Sequence, residues 1–145
     1  MKNLTITLTA PGNVKLAFYL GTTLLLIALL SSCQSSAQSP EYRTVTNDEL
    51  VTLLKDESVQ LLDVRTPEEV AQGVIAGAGH IDIYDPEFDN KLSQLDKTRP
   101  VAVYCAAGGR SAKASMKLKE LGFQKIYDLK GGYRGWQQAG FPVSQ

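Results

Sequence analysis

The chain has 145 residues, 43% of them hydrophobic and 21% charged, the composition of one ordinary globular domain rather than of a disordered or fibrous protein. Fifteen lysines and arginines balance fifteen aspartates and glutamates, with no basic cluster of the kind that tracks a phosphate backbone, which excludes nucleic acid as a partner. One histidine, His80, and two distant cysteines, Cys33 and Cys105, give no metal-ligand spacing, so no metal cofactor is expected.

The first element in chain order is the uncharged run LAFYLGTTLLLIALL, Leu16 to Leu30, preceded by Lys2 and Lys15 and by no acidic residue. That is the charge order of a secretory signal, and the run is shorter than the roughly 20 residues of a bilayer-spanning helix. LSSC, Leu30 to Cys33, then resembles the lipobox of bacterial lipoproteins, in which small residues precede a cysteine that is lipidated on sulfur and becomes the new amino terminus. The resemblance implies a signal peptide over residues 1–32, lipidation of Cys33, and a lipid-anchored protein of the bacterial cell envelope that faces the periplasm. Gln34 stands where lipoprotein sorting to the inner membrane uses aspartate, which favours the outer membrane. The alternative is an uncleaved membrane anchor with an incidental cysteine beside it, and both export the domain. The segment TITLTAPGN lengthens the region before Leu16 and leaves the start of the signal open.

After Cys33, QSSAQSP is a polar stretch with nothing to bury, so residues 33–40 are expected to be a lipidated cysteine and flexible tether. Cleavage before Cys33 removes Lys2 and Lys15 and no acid, leaving thirteen basic against fifteen acidic groups. Once Cys33 is acylated, Cys105 is the only free thiol and no internal disulfide can form.

The folded domain is expected over residues 41–145. TNDEL has a capping-box pattern, Thr46 with Glu49, opening a helix to about Lys55. VQLLDV, Val59 to Val64, is a nearly continuous apolar run of strand length, as in a parallel sheet covered on both faces. TPEEVAQG predicts a second capped helix, with Thr66 as N-cap, Pro67 at the first position, Glu69 completing the box and Gly73 as the stop. A Gly-rich passage through Ile81 and Ile83 leads to a helix near Glu87 to Leu95. The strand VAVYC, the helix SAKASMKLKELG with Gly122 as its cap, the strand KIYDL and the helix GGYRGWQQAG complete the chain. Strands alternating with helices at this spacing predict a single α/β domain with a parallel central sheet flanked by helices, whose ligands bind beyond the carboxyl ends of the strands.

Cys105 lies at such an end. A cysteine there, taken alone, is commonly a small buried hydrophobe. Gly108 and Gly109 change the reading, because they let the chain curl until N–H groups from Ala106 to Ser111 face one spot, where the following helix adds the positive end of its dipole. These fields favour thiolate over thiol. His80 lies in a different loop, which gives a cysteine–histidine pair little support. Arg110 supplies a forked permanent cation for an oxyanion held above the sulfur.

CAAGGRS, Cys105 to Ser111, resembles the active-site loop of single-domain rhodaneses, Cys-x-x-Gly-x-Arg followed by Ser or Thr. LLDVRTPEEVAQGVIAGA resembles the strand and helix that precede that loop, and YDLKGGYRGWQQAGFPV the closing segment. The resemblance implies a sulfurtransferase that takes a sulfane sulfur from thiosulfate or a similar donor, holds it as a Cys105 persulfide and passes it to cyanide or a thiol. It implies no metal and no organic cofactor. Cys105 is then the nucleophile, and Ala106, Ala107, Gly108, Gly109, Arg110 and Ser111 bind the donor or the terminal sulfur, with Arg110 orienting the donor anion. Asp63 and Arg65 either order the surroundings of the loop or form an ion pair that ties a turn. The family commonly has histidine and proline where this chain has Val74 and Ala76, read here as a packing change. Arg110 is the only charge in the loop, so a strongly anionic donor is held by less charge than in loops with a second cation.

Two rivals stand beside this reading. A cysteine phosphatase also uses a cysteine, a backbone nest and an arginine, but with five residues between them where Cys105 and Arg110 enclose four. A lipid-tethered docking or sulfur-carrier module needs no turnover.

Overall fold

The computed structural model describes residues 39–145, so the apolar leader, Cys33 and the tether up to Gln38 lie outside the described residues. Within them strands and helices alternate: β1 Glu41–Val45, α1 Asn47–Leu53, β2 Gln60–Asp63, α2 Pro67–Val70, β3 Gly79–His80, α3 Phe88–Ser93, β4 Val101–Tyr104, α4 Gly109–Glu120, β5 Lys125–Leu129 and α5 Gly132–Gln138. The strands form one sheet in the order β1-β5-β4-β2-β3, with every pairing parallel. This is the α/β architecture that the alternating pattern predicts.

A parallel sheet needs cover on both faces, and the alternation along β4 shows how it is divided. Val101, Val103 and Cys105 enter one apolar cluster with Phe88 and Leu92 of α3 and Ala114 and Leu118 of α4. Ala102 and Tyr104 enter the other, with Leu50 of α1 and Tyr133 and Trp136 of α5. Cys105 therefore continues the two-residue period of the strand and turns its sulfur toward α4.

The helix signals act as their chemistry implies. The Thr46 N–H donates to Glu49 Oε2 at 2.8 Å, and the Glu49 N–H to Thr46 Oγ1 at 3.3 Å. The helix they open ends at Leu53, two residues before the expected Lys55. At the far end of α4 the chain leaves through Gly122, and the Phe123 N–H reaches back to the Leu118 carbonyl at 3.1 Å.

Two strands differ from the expectation. In β1 only Val45 is buried, so the apolar run that marks an inner strand is absent; it is an edge strand held by its register with β5. β3 is only two residues long and both are exposed. Val74, one of the departures from the family pattern, exchanges two backbone hydrogen bonds with Ser144, 2.8 Å each, which ties the carboxyl terminus to the loop after α2.

Candidate active site

The chain leaves β4 at Tyr104, buries Cys105 at 1% exposure and turns into α4. Gly108 makes that turn as the N-cap of α4 with φ +105°, a left-handed conformation that costs glycine little and strains any residue with a Cβ. The Gly108 N–H thereby donates to Cys105 Sγ at 3.1 Å. Burial pushes the Cys105 thiol up, but the Ser111 backbone and hydroxyl and the Ala107 and Gly108 backbones act together against it and hold the thiol below its ordinary value. The first turn of α4, a helix of 12 residues, directs its positive end to the same place.

The loop residues divide their work. Ser111 is fully buried, and its hydroxyl donates to the Gly108 carbonyl at 3.0 Å, closing the turn from inside. Ala106 offers its carbonyl to the Arg134 N–H at 3.0 Å, and Cys105 its own to the Tyr133 N–H at 2.8 Å. Gly109 is the first residue of α4.

Arg110, the forked cation of the loop, is tied to an acid of α2. Its two terminal nitrogens donate to the two oxygens of Glu69, each at 2.7 Å, so two of its five N–H donors are already taken. The Arg110 guanidinium pulls the Glu69 carboxyl down to about 2, and the pair in turn raises the arginine. Glu69 Oε2 also accepts the Thr66 N–H at 3.0 Å, so one oxygen caps α2 and anchors the loop. The capping-box pattern located Glu69, and only its second role went unread. The aromatic ring of Tyr84, 69% exposed, lies 5.9 Å from the Arg110 guanidinium and forms an outer wall of this mouth.

Asp63 and Arg65 form a buried ion pair at 2.6 Å, with the Arg65 guanidinium stacked 3.8 Å from the Tyr133 ring centre. Arg65 also donates to the Gly73 carbonyl at 2.7 Å. The pair therefore joins the end of β2, the exit of α2 and the start of α5. His80 Nε2 lies 2.7 Å from the Arg65 carbonyl, and because a carbonyl can only accept, that nitrogen carries the proton.

The closing segment does more for the site than its sequence reveals. Gly132, with φ +56°, packs its Cα against the loop so tightly that a Cβ would sit 2.3 Å from the Cys105 carbonyl oxygen. Only a GG pair before a helix could have marked this contact, and its target is 27 residues away in the chain, taking 132 and 105 from the numbering. Beside the loop on this side opens a polar cleft of about 350 Å³ lined by Arg65, Glu69, Ala106, Tyr133 and Arg134 among others. Among the described residues Arg134 makes no ion pair.

The site thus holds a buried cysteine, its thiol held below the ordinary value, in a backbone nest at the carboxyl edge of a parallel sheet. The model of the rhodanese-like domain matches residues 46–139, and the chain belongs to that family. It is 35% identical over 91 residues to a sulfurtransferase of Allochromatium vinosum, covering 63% of this chain and 83% of that one. It is 31% identical over 98 residues to the thiosulfate sulfurtransferase GlpE of Shewanella oneidensis, covering 68% of this chain and 95% of that one. Among solved structures, a rhodanese-related protein from Thermoplasma volcanium is 37% identical with a TM-score of 0.64, covering 71% of this chain and 98% of that one. The fold and its relatives thus place the chain among sulfurtransferases.

Proposed function

We propose that the protein transfers a sulfane sulfur from thiosulfate or a similar anionic donor to cyanide or a thiol through a persulfide on Cys105. The observation that carries this is the Gly108 N–H on Cys105 Sγ at 3.1 Å, within a nest that favours the thiolate. In the first half-reaction the Cys105 thiolate attacks the outer sulfur of thiosulfate. A new S–S bond forms, the S–S bond of the donor breaks, and sulfite leaves with the electron pair. In the second, the acceptor attacks the terminal sulfur of the persulfide, that S–S bond breaks, and Cys105 returns as the thiolate; cyanide leaves as thiocyanate and a thiol as a persulfide.

Ala106, Ala107, Gly108, Gly109, Arg110 and Ser111 form the binding loop in this reading. Arg110 keeps three N–H donors beyond the two given to Glu69 and uses them on the departing sulfite. Arg134, exposed at the rim of the polar cleft, adds the second cation that the loop sequence lacks. Asp63 and Arg65 hold the platform under the loop and touch no substrate. Steady-state thiocyanate formation tests turnover: multiple turnovers are expected, and a single stoichiometric uptake of sulfur would make the domain a carrier instead.

The same proposal places the domain in the bacterial cell envelope, lipid-anchored through Cys33 after removal of residues 1–32 and facing the periplasm, with the outer membrane favoured by Gln34. Its support is the order of the positive charges, apolar run and small residues before Cys33. Fatty-acid labelling is expected in the wild type and absent in Cys33→Ser; labelling that persists in the variant contradicts it.

A further inference from the structure

Cys105 is only 1% exposed, so a substrate sends in its reacting end and leaves the rest of itself outside. The polar cleft of about 350 Å³ beside the loop is the place for that rest. Glu69 and Gln72 line it from α2 and the turn that follows, Arg134 and Gln137 from α5, and Ala106 from the loop itself. Two backbone hydrogen bonds fix α5 to the loop, from the Tyr133 N–H to the Cys105 carbonyl at 2.8 Å and from the Arg134 N–H to the Ala106 carbonyl at 3.0 Å. The backbone of Arg134 is thereby pinned to the residue that follows the nucleophile.

The other charges of this cleft are already answered. Glu69 gives both oxygens to Arg110 at 2.7 Å, and Arg65 is bound to Asp63 at 2.6 Å. Arg134 is exposed and, among the described residues, forms no ion pair. Gln72 and Gln137 are exposed as well, and each amide both donates and accepts. One forked cation accompanied by two amides is the complement of a carboxylate on an amide-bearing body.

We propose that this cleft seats the acceptor of the second half-reaction, a small thiol of peptide kind whose carboxylate is gripped by Arg134. The proposal rests on the Cys105 persulfide. Cyanide has no body to place in the cleft, whereas a cysteine derivative brings both an amide and a carboxylate. Its thiol gives up the proton to solvent, and the thiolate attacks the terminal sulfur of the persulfide. A new S–S bond forms, the S–S bond to Cys105 breaks, and the electron pair stays on Cys105 Sγ. Sulfite has left before the acceptor enters, so one arginine serves the two anions in turn. Glu69 does not repel the incoming carboxylate, because Arg110 already neutralises it.

The test is single-turnover discharge of the full chain after loading with thiosulfate, confirmation of the added sulfur by intact mass, and removal of the donor by gel filtration. The acceptors are N-acetylcysteine and its carboxamide, which share a body and differ in the charge, each against wild type, Arg134→Gln and Arg134→Lys. Comparing each thiol with itself across the variants cancels its intrinsic reactivity. Arg134→Gln is expected to slow discharge to N-acetylcysteine about three- to tenfold more than discharge to the carboxamide, and Arg134→Lys to recover part of that difference. Equal slowing of both thiols, or no slowing of either, overturns the proposal. A wild type that never takes up sulfur speaks against the persulfide; one that loads and then discharges to both thiols regardless of Arg134 speaks against the acceptor cleft alone.

Discussion

Gly132 and Cys105 touch through their backbones: a Cβ on Gly132 would meet the Cys105 carbonyl oxygen at 2.3 Å and the Ala106 and Ala107 backbone at 2.9 Å. The two N–H groups that follow, of Tyr133 and Arg134, donate to the carbonyls of Cys105 and Ala106. The start of α5 is thus the floor on which the reactive loop rests, and the loop's N–H groups are left to face the sulfur.

Gly132→Ala should therefore damage both stability and activity. The left-handed backbone and the clash with main-chain atoms together cost about 2–4 kcal/mol. A lower urea midpoint is expected together with loss of thiocyanate formation, whereas Gly140→Ala, with nothing near its Cβ, should lose only the smaller backbone term.

Glu69→Gln separates charge from packing. The amide keeps the shape but loses the charge-assisted fork to Arg110, and kcat/KM for thiosulfate is expected to fall about tenfold. The stability change should stay near 1 kcal/mol, because the pair is partly solvated. The pH dependence has a definite sign. A carboxyl lowered from 4.5 to about 2 stabilises the fold fully above the ordinary value and loses that contribution as pH falls through the window between them. Acid unfolding of the wild type should steepen there, and the Glu69→Gln curve should be flatter.

The thiol itself gives a second pH test. Because the loop lowers Cys105 below the ordinary thiol value of 9.0, sulfur uptake should persist as pH falls below that value. Ser111→Ala removes one of the groups responsible, so its uptake profile should move to higher pH. An unchanged profile would show that the backbone alone sets the thiol.

Asp63→Asn breaks a buried ion pair and leaves the Arg65 guanidinium without its counter-charge, at a cost of about 3–5 kcal/mol. Arg65→Lys should not be tolerated either, because an ammonium cannot both stack on Tyr133 and bond Asp63 and Gly73 in one plane. Thermal unfolding of the two variants checks this, and near-wild-type melting of either contradicts it.

What the sequence revealed followed the reach of each signal. The α/β order was legible because β2, β4 and β5 carry apolar runs and because Thr46, Thr66 and Gly122 punctuate the helices locally. β1 was not, since four of its five residues are exposed and only pairing with β5 makes it a strand. At the site, the CAAGGRS loop announced its sulfur and its turn within seven residues. The Glu69 tie to Arg110 and the Gly132 floor were invisible because they join segments 41 and 27 positions apart, and a capping box or a GG pair says nothing about distant partners.

The most direct measurement is the intact mass of the protein after incubation with thiosulfate, for wild type and Cys105→Ser. The expected result is a gain of one sulfur atom in the wild type, removed by cyanide, and no gain in the variant. A wild type that takes up no sulfur from any sulfane donor, or a Cys105→Ser variant that takes it up equally, would contradict a persulfide on Cys105.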